Sequence, residues 1–212
     1  FFTDIGFAVL NGYGITECAP LVAVVSNREV RGRRGGRHLG VGHPIPACHV
    51  RIRRPDQNGE GEVCVRGANT MLGYYHDQTA TERVFEDSWL LTGDIGRLDE
   101  DGHLFILGRT KNMILLPNGK NVYPEELEAV LMQNPKITET VVYLGSNGRI
   151  TAEVYCEEDS ADRSMIRAWI AGTANDELPL YARIQDIRFR DREFEKTSTK
   201  KIKRTMIHKE IS

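Results

Sequence analysis

LLTGDIGRLDEDGHLFILGRTKNMI, residues 90–114, decides how the rest of the chain is read. Two apolar stretches, one around Leu90–Leu91 and one over Leu104–Leu107, flank the polar run Asp99-Glu100-Asp101-Gly102. That pattern predicts two strands joined by a tight turn. Immediately after Gly108 the apolar rhythm breaks at Arg109-Thr110-Lys111-Asn112. A boundary between two differently built regions is expected there.

Upstream, strands dominate. CHVRIRRP (48–55) and GEVCVRG (61–67) alternate apolar and polar residues around DQNGEG, a hairpin pattern. DQTATERVF (77–85) reads as a short helix with Asp77 as N-cap. APLVAVVS (19–26) is an apolar stretch, and Phe7–Leu10 is expected to be a short strand. Residues 27–44 are rich in Gly, Arg and His and are expected to be a loop.

Downstream, strands and helices alternate. MILLPNGKNVYP predicts a hairpin around Asn118-Gly119, and Pro124 opens a helix, PEELEAVLMQNP, with Leu127, Val130 and Leu131 on one face. TVVYLG and TAEVYCEE form the next strands across Ser146-Asn147-Gly148. A helix over 161–173, the strand IQDIRFRD and a basic tail complete the chain. This alternation predicts a compact α+β domain.

The chain has 212 residues with 28 basic and 30 acidic side chains, so its formal charge of -2 predicts no global attraction to nucleic acid. Four cysteines without C-x-x-C spacing read as reduced thiols of a cytoplasmic protein, neither a disulfide frame nor a zinc site. No apolar run is long enough to span a bilayer.

Near the start stands NGYGITECAP (11–20), where glycines flank a tyrosine and a hydroxyl precedes a carboxylate. Alone, it fits either a magnesium-nucleotide loop or a plain turn. Three further segments accompany it in order: GEVCVRGANTMLGYYHDQTATERVF (61–85), the quoted stretch with Asp94 and Arg109 fifteen apart, and KTSTKKIKR (196–204). Together these four resemble the motifs of the adenylate-forming superfamily, which includes acyl- and aryl-CoA synthetases. LLPNGKNVYPEELE resembles long-chain fatty acyl-CoA synthetases most.

The resemblance implies ATP, Mg²⁺ and coenzyme A as cofactors, with a fatty acid or other carboxylate as substrate. It further implies that Tyr13 stacks on adenine, with Gly12 and Gly14 allowing close backbone approach. Thr16 would bond a phosphate oxygen and Glu17 would hold Mg²⁺, a hard cation suited to carboxylate oxygen. Asp94 would accept the ribose hydroxyls, and Arg109 would bond the ribose or a phosphate. Lys201 would be the catalytic lysine, Lys111 the hinge, and Gly119 part of the hairpin lining the thiol's tunnel. The family usually has glycine before its catalytic lysine, where this chain has Lys200.

By the same resemblance the fold is α+β: the strand-rich end of a large N-terminal domain, a small distorted β-barrel, followed by a compact C-terminal α+β domain. The implied boundaries are 1–26 for the end of the nucleotide-binding subdomain, 27–108 for the β-rich subdomain, 109–112 for the hinge and 113–212 for the small domain. A Ser/Thr/Gly-rich phosphate loop does not occur in the sequence, so the chain is read as the C-terminal part of a longer synthetase, inactive alone. The expected location is cytoplasmic, leaving room for peripheral membrane association of the whole enzyme. An acyl-carrier-protein or aryl-CoA synthetase is the alternative within the class. Outside it stand a non-catalytic binding module and a nucleic-acid binder using the basic runs 31–38 and 196–209; no nucleic-acid partner is expected.

Overall fold

The computed structural model describes residues 5–7, 9–27, 40–157, 160–204 and 207. The arginine-rich segment 31–38 therefore lies outside the described residues. The chain divides into two compact units, Phe1–Lys111 and Asn112–Ser212. No helix among the described residues is long and apolar enough to cross a membrane.

In the first unit, β1 (Gly12–Gly14), β2 (Leu21–Val24) and β3 (His43–Pro44) form a small antiparallel sheet. Phe7, Val9 and Leu10 do not form the strand expected over Phe7–Leu10 from its apolar content. Phe7, Val9 and Leu10 are exposed, and the backbone that pairs with β2 is the glycine-tyrosine-glycine segment. His43–Pro44, expected to be loop, pairs with β2 through Ala23 and Val24.

A second sheet holds β4 (Cys48–Arg53), β5 (Gly61–Gly67), β6 (Phe85–Glu86), β7 (Trp89–Leu98) and β8 (Leu104–Arg109). β7 is its centre, pairing antiparallel with β5, β6 and β8. Among the described residues this ladder stays open, so the expected barrel is an open antiparallel sheet. Asp77 caps α1 (Gln78–Val84) by accepting from the Ala80 amide. Val22, Val63, Val65, Leu90 and Leu104 form the fully buried heart of this unit.

The second unit opens with a two-stranded ribbon, β9 (Ile114–Leu115) and β10 (Asn121–Val122), followed by α2 (Pro124–Leu131). The sequence predicted that helix to Pro135. It stops at Leu131 because Asn134 precedes a proline, which disfavours helical backbone, and Asn134 instead caps a turn by accepting from the Lys136 amide. β11 (Glu139–Leu144) and β12 (Ile150–Tyr155) pair antiparallel. α3 (Ser160–Trp169) then crosses over through a wide turn, Ile170–Ala174, to β13 (Asp186–Arg190), which pairs parallel with β12.

Both faces of this sheet are covered, which is why β11 reads as an almost continuous apolar run. Val142 packs into the main core with Leu131, Ile150, Val154 and Ile166. Val141 and Tyr143, on the other face, pack against Phe194 and Ile207 from the C-terminal segment. The described part of what reads as a basic tail is thus docked structure.

Glu128 of α2 is a buried carboxyl that accepts from the Val142 amide at 2.7 Å and pairs with Arg204. Burial pushes its pKa up to about 7, against the opposing pull of Arg204 and the amide. The folded state therefore keeps this proton above the ordinary carboxylate range, and the associated stability, full below about 4.5, is lost as pH rises toward about 7. The unfolding free energy of the parent relative to Glu128→Gln should accordingly fall across that window. A difference that stays constant with pH would show that Glu128 titrates normally.

Candidate functional site

Asp94 is the most buried of the candidate ligands, with its side chain 5% exposed. Its position follows from a bulge in β7. Glu62 of β5 faces Ile95, yet Cys64 faces Leu91, so β7 carries extra residues at Thr92-Gly93-Asp94. Gly93 adopts φ +70°, which a side chain would resist. Thr92 locks the bulge, its hydroxyl donating to the Val63 carbonyl at 2.8 Å and accepting from the Asp94 amide at 3.1 Å.

The bulge aims the Asp94 carboxylate at two partners. Across the β7–β8 ladder Asp94 faces Arg109, whose Nε lies 2.7 Å from Oδ1. From 81 residues away, the Tyr13 hydroxyl donates to Oδ2. Burial, then the bond to Asp94, pushes the Tyr13 phenol well above its ordinary range, so it stays a donor. An ionised carboxylate has about four lone-pair sites, so two remain for further donors such as vicinal hydroxyls. Arg109 is half exposed and offers its remaining N–H groups to an anion.

The Gly12–Gly14 strand ends in a single tight helical turn, Thr16–Cys18. Gly14 is glycine for an internal reason, since a Cβ there would overlap the Pro20 carbonyl oxygen. Thr16 is exposed and Glu17 half-buried. Segment 69–74 clamps this turn. Asn69 Nδ2 donates to the Cys18 and Leu21 carbonyls at 3.0 and 2.8 Å, the Met71 amide to the Glu17 carbonyl at 2.7 Å, and the Tyr74 hydroxyl to Glu17 Oε1 at 2.9 Å. Glu17 offers a half-buried carboxylate, which fits Mg²⁺, an ion that keeps several waters and takes one or two carboxylates beside phosphate oxygens.

Tyr13, Asp94 and Arg109 are thus one bonded cluster, and Thr16 and Glu17 extend from the same strand. Thr92, Asn69 and Tyr74 escaped sequence reasoning, although all three lie inside motifs that were read. Lys111 is exposed and is the last residue of the first unit. Gly119 turns the ribbon of the second unit, its amide donating to the Leu116 carbonyl at 2.9 Å.

Lys201 sits in a hairpin of the second unit. Lys196 bridges Ile202, the Thr197 amide donates to the Lys201 carbonyl at 2.8 Å, and the Lys200 amide donates to the Thr197 carbonyl at 2.9 Å. Lys200 has φ +61°, the left-handed conformation natural to glycine. The departure from the resembled motif thus places a non-glycine residue at a left-handed turn position. Lys201 is exposed and forms no ion pair among the described residues, whereas Lys196 is held by Glu139 and Glu193.

Residues 1–75 match the family described as AMP-binding enzyme. The chain is 41% identical to the long-chain-fatty-acid–CoA ligase of Salmonella typhimurium over 74% of its length and 28% of that protein's. It is 36% identical to the ligase of the same name from Haemophilus influenzae, covering 97% of this chain and 36% of the relative. The chain thus spans about a third of the curated relatives it matches. Among solved structures, the O-succinylbenzoate coenzyme A synthetase of Bacillus subtilis, in complex with ATP and magnesium ion, superposes with a TM-score of 0.79 at 26% identity, over 98% of this chain and 42% of that one.

Replacing Lys200 by glycine removes about 1–2 kcal/mol of left-handed strain and returns roughly 0.4–1 kcal/mol in unfolded-state entropy. Lys200→Gly should therefore raise stability by about 0.5–1 kcal/mol in denaturant titration. A less stable variant would mean the strain is offset by contacts of the lysine side chain.

Proposed function

We propose that this chain, which belongs to the adenylate-forming AMP-binding enzymes, supplies the ribose-gripping and lysine-bearing portion of an ATP-dependent acyl-CoA ligase. The observation that carries the reading is the Tyr13–Asp94–Arg109 cluster: a buried carboxylate with spare acceptor sites beside a half-exposed guanidinium.

In the proposed reaction a substrate carboxylate oxygen attacks the α-phosphate of ATP and pyrophosphate leaves. The thiol of coenzyme A then attacks the acyl-adenylate carbonyl and AMP leaves. Asp94 accepts the ribose hydroxyls, and Arg109 bonds the ribose or a phosphate. Tyr13 contributes its ring to adenine while its hydroxyl orients Asp94. Thr16 bonds a phosphate oxygen and Glu17, steadied by Tyr74, holds Mg²⁺, which when bound neutralises phosphate charge. Lys201 supplies a mobile ammonium for the charge that develops during adenylation. Lys111 is the proposed hinge, and the ribbon turning at Gly119 serves the thioester step.

A long-chain fatty acid is the substrate class we favour, on the identity to ligases of that name. An aromatic carboxylate is the second reading, favoured by the likeness to the O-succinylbenzoate enzyme. The four buried, unpaired cysteines support a reducing, cytoplasmic setting.

The test uses the whole ligase containing this chain. Lys201→Ala should slow carboxylate-dependent pyrophosphate exchange about 100-fold or more. Thioester formation from supplied acyl-adenylate should change less than about threefold. Equal losses in the two half-reactions would refute the role of Lys201. A panel of fatty and aromatic acids in the same exchange assay separates the two substrate readings.

A further inference from the structure

The hairpin bearing Lys201 is pinned at both ends by acidic side chains of the second unit. On its entry leg, the Glu139 carboxylate accepts from the Phe194 amide at 2.9 Å and pairs with Lys196. On its exit leg, the Lys203 amide donates to the Glu195 carbonyl at 2.8 Å, and the next residue, Arg204, turns inward. The Arg204 guanidinium pairs with Glu128 of α2 and donates to the Val142 carbonyl at 3.4 Å. It also lies 3.9 Å from Glu125 Oε1, the oxygen that accepts from the Asn112 side chain. Asn112 is the first residue of the second unit. The other Glu125 oxygen is buried without a partner, so this acidic end of α2 has acceptor capacity to spare.

We propose that Arg204 is the positioning residue for Lys201, fixing the exit leg of the lysine hairpin to α2 and β11 and tying it through Glu125 to Asn112. Two residues separate Arg204 from Lys201, too few for the hairpin to absorb a change in its anchor. The planar fork reaches Glu128 and Val142 at once, a geometry that an ammonium cannot reproduce. Lys201 is exposed and forms no ion pair among the described residues, so its placement is left to the backbone that carries it. Since placement errors of about 1 Å can cost on the order of 100-fold in rate, that backbone anchor has kinetic consequences.

This inference rests on the reading of Lys201 given above, and the experiment separates the two. In the whole ligase, Arg204→Gln should lower kcat for carboxylate-dependent pyrophosphate exchange about tenfold or more, with KM for ATP within about twofold. Thioester formation from supplied acyl-adenylate should also stay within about twofold. Arg204→Lys should recover part of the lost rate, and Glu128→Gln, which keeps the side-chain volume, should show the same split between half-reactions. Parallel losses in both half-reactions with a lowered Tm, or no loss in exchange, would overturn the proposal. Lys201→Ala is run beside them. If that variant adenylates normally, the reading of Lys201 itself fails; if it does not while Arg204→Gln does, only the positioning role falls.

Discussion

A carboxylate taken out of water must find donors, and Asp94 is the point at which this constraint organises the first unit. Its two anchors come from opposite ends of that unit, Tyr13 from β1 and Arg109 from β8. Satisfying both at once fixes the register of β7 on β8 and requires the bulge at Thr92–Asp94. Removing either partner leaves the buried Asp94 carboxylate short of a donor, so the geometry of the cluster is enforced by stability as well as by chemistry.

The parts of this arrangement that depend on local pattern were readable in the sequence. The hairpin around Asp99–Gly102 brings Asp94 opposite Arg109, and the turn residues announce it. Asp77 as a helix cap and the β4–β5 hairpin are equally local. The Tyr13–Asp94 bond spans 81 residues and no spacing rule reaches that far; only a motif suggested that the two belong together. The strand expected at Phe7–Leu10 failed because apolar content says nothing about which backbone finds a ladder partner. Lys200 was visible as a departure from glycine, but its left-handed backbone was not, because the turn is set by Thr197 and by the bridge from Lys196 to Ile202.

In the second unit the short helix α2 is a hub for polar contacts. Its buried face, led by Leu127 and Leu131, joins the main core, while Glu125 and Glu128 collect Asn112, Arg204 and the Val142 amide. Sequence reading saw the apolar stripe and made no assignment for the glutamates. Burial of a carboxyl is decided by what packs over it, here a C-terminal segment that sequence pattern alone marked as a tail.

Among the described residues, that segment covers its face of the sheet with Phe194 and Ile207 against Val141 and Tyr143. The opposite face holds the far larger main cluster. Regions with fewer buried apolar contacts open at lower free energy than the body they dock on. Among the described residues, the amides of the C-terminal segment are therefore expected to exchange with solvent at a lower opening free energy than those of β11 and β12. The lysine hairpin accordingly rides on the smaller of the two apolar clusters that cover this sheet, and its polar anchors at Glu139 and Glu128 carry more of its docking.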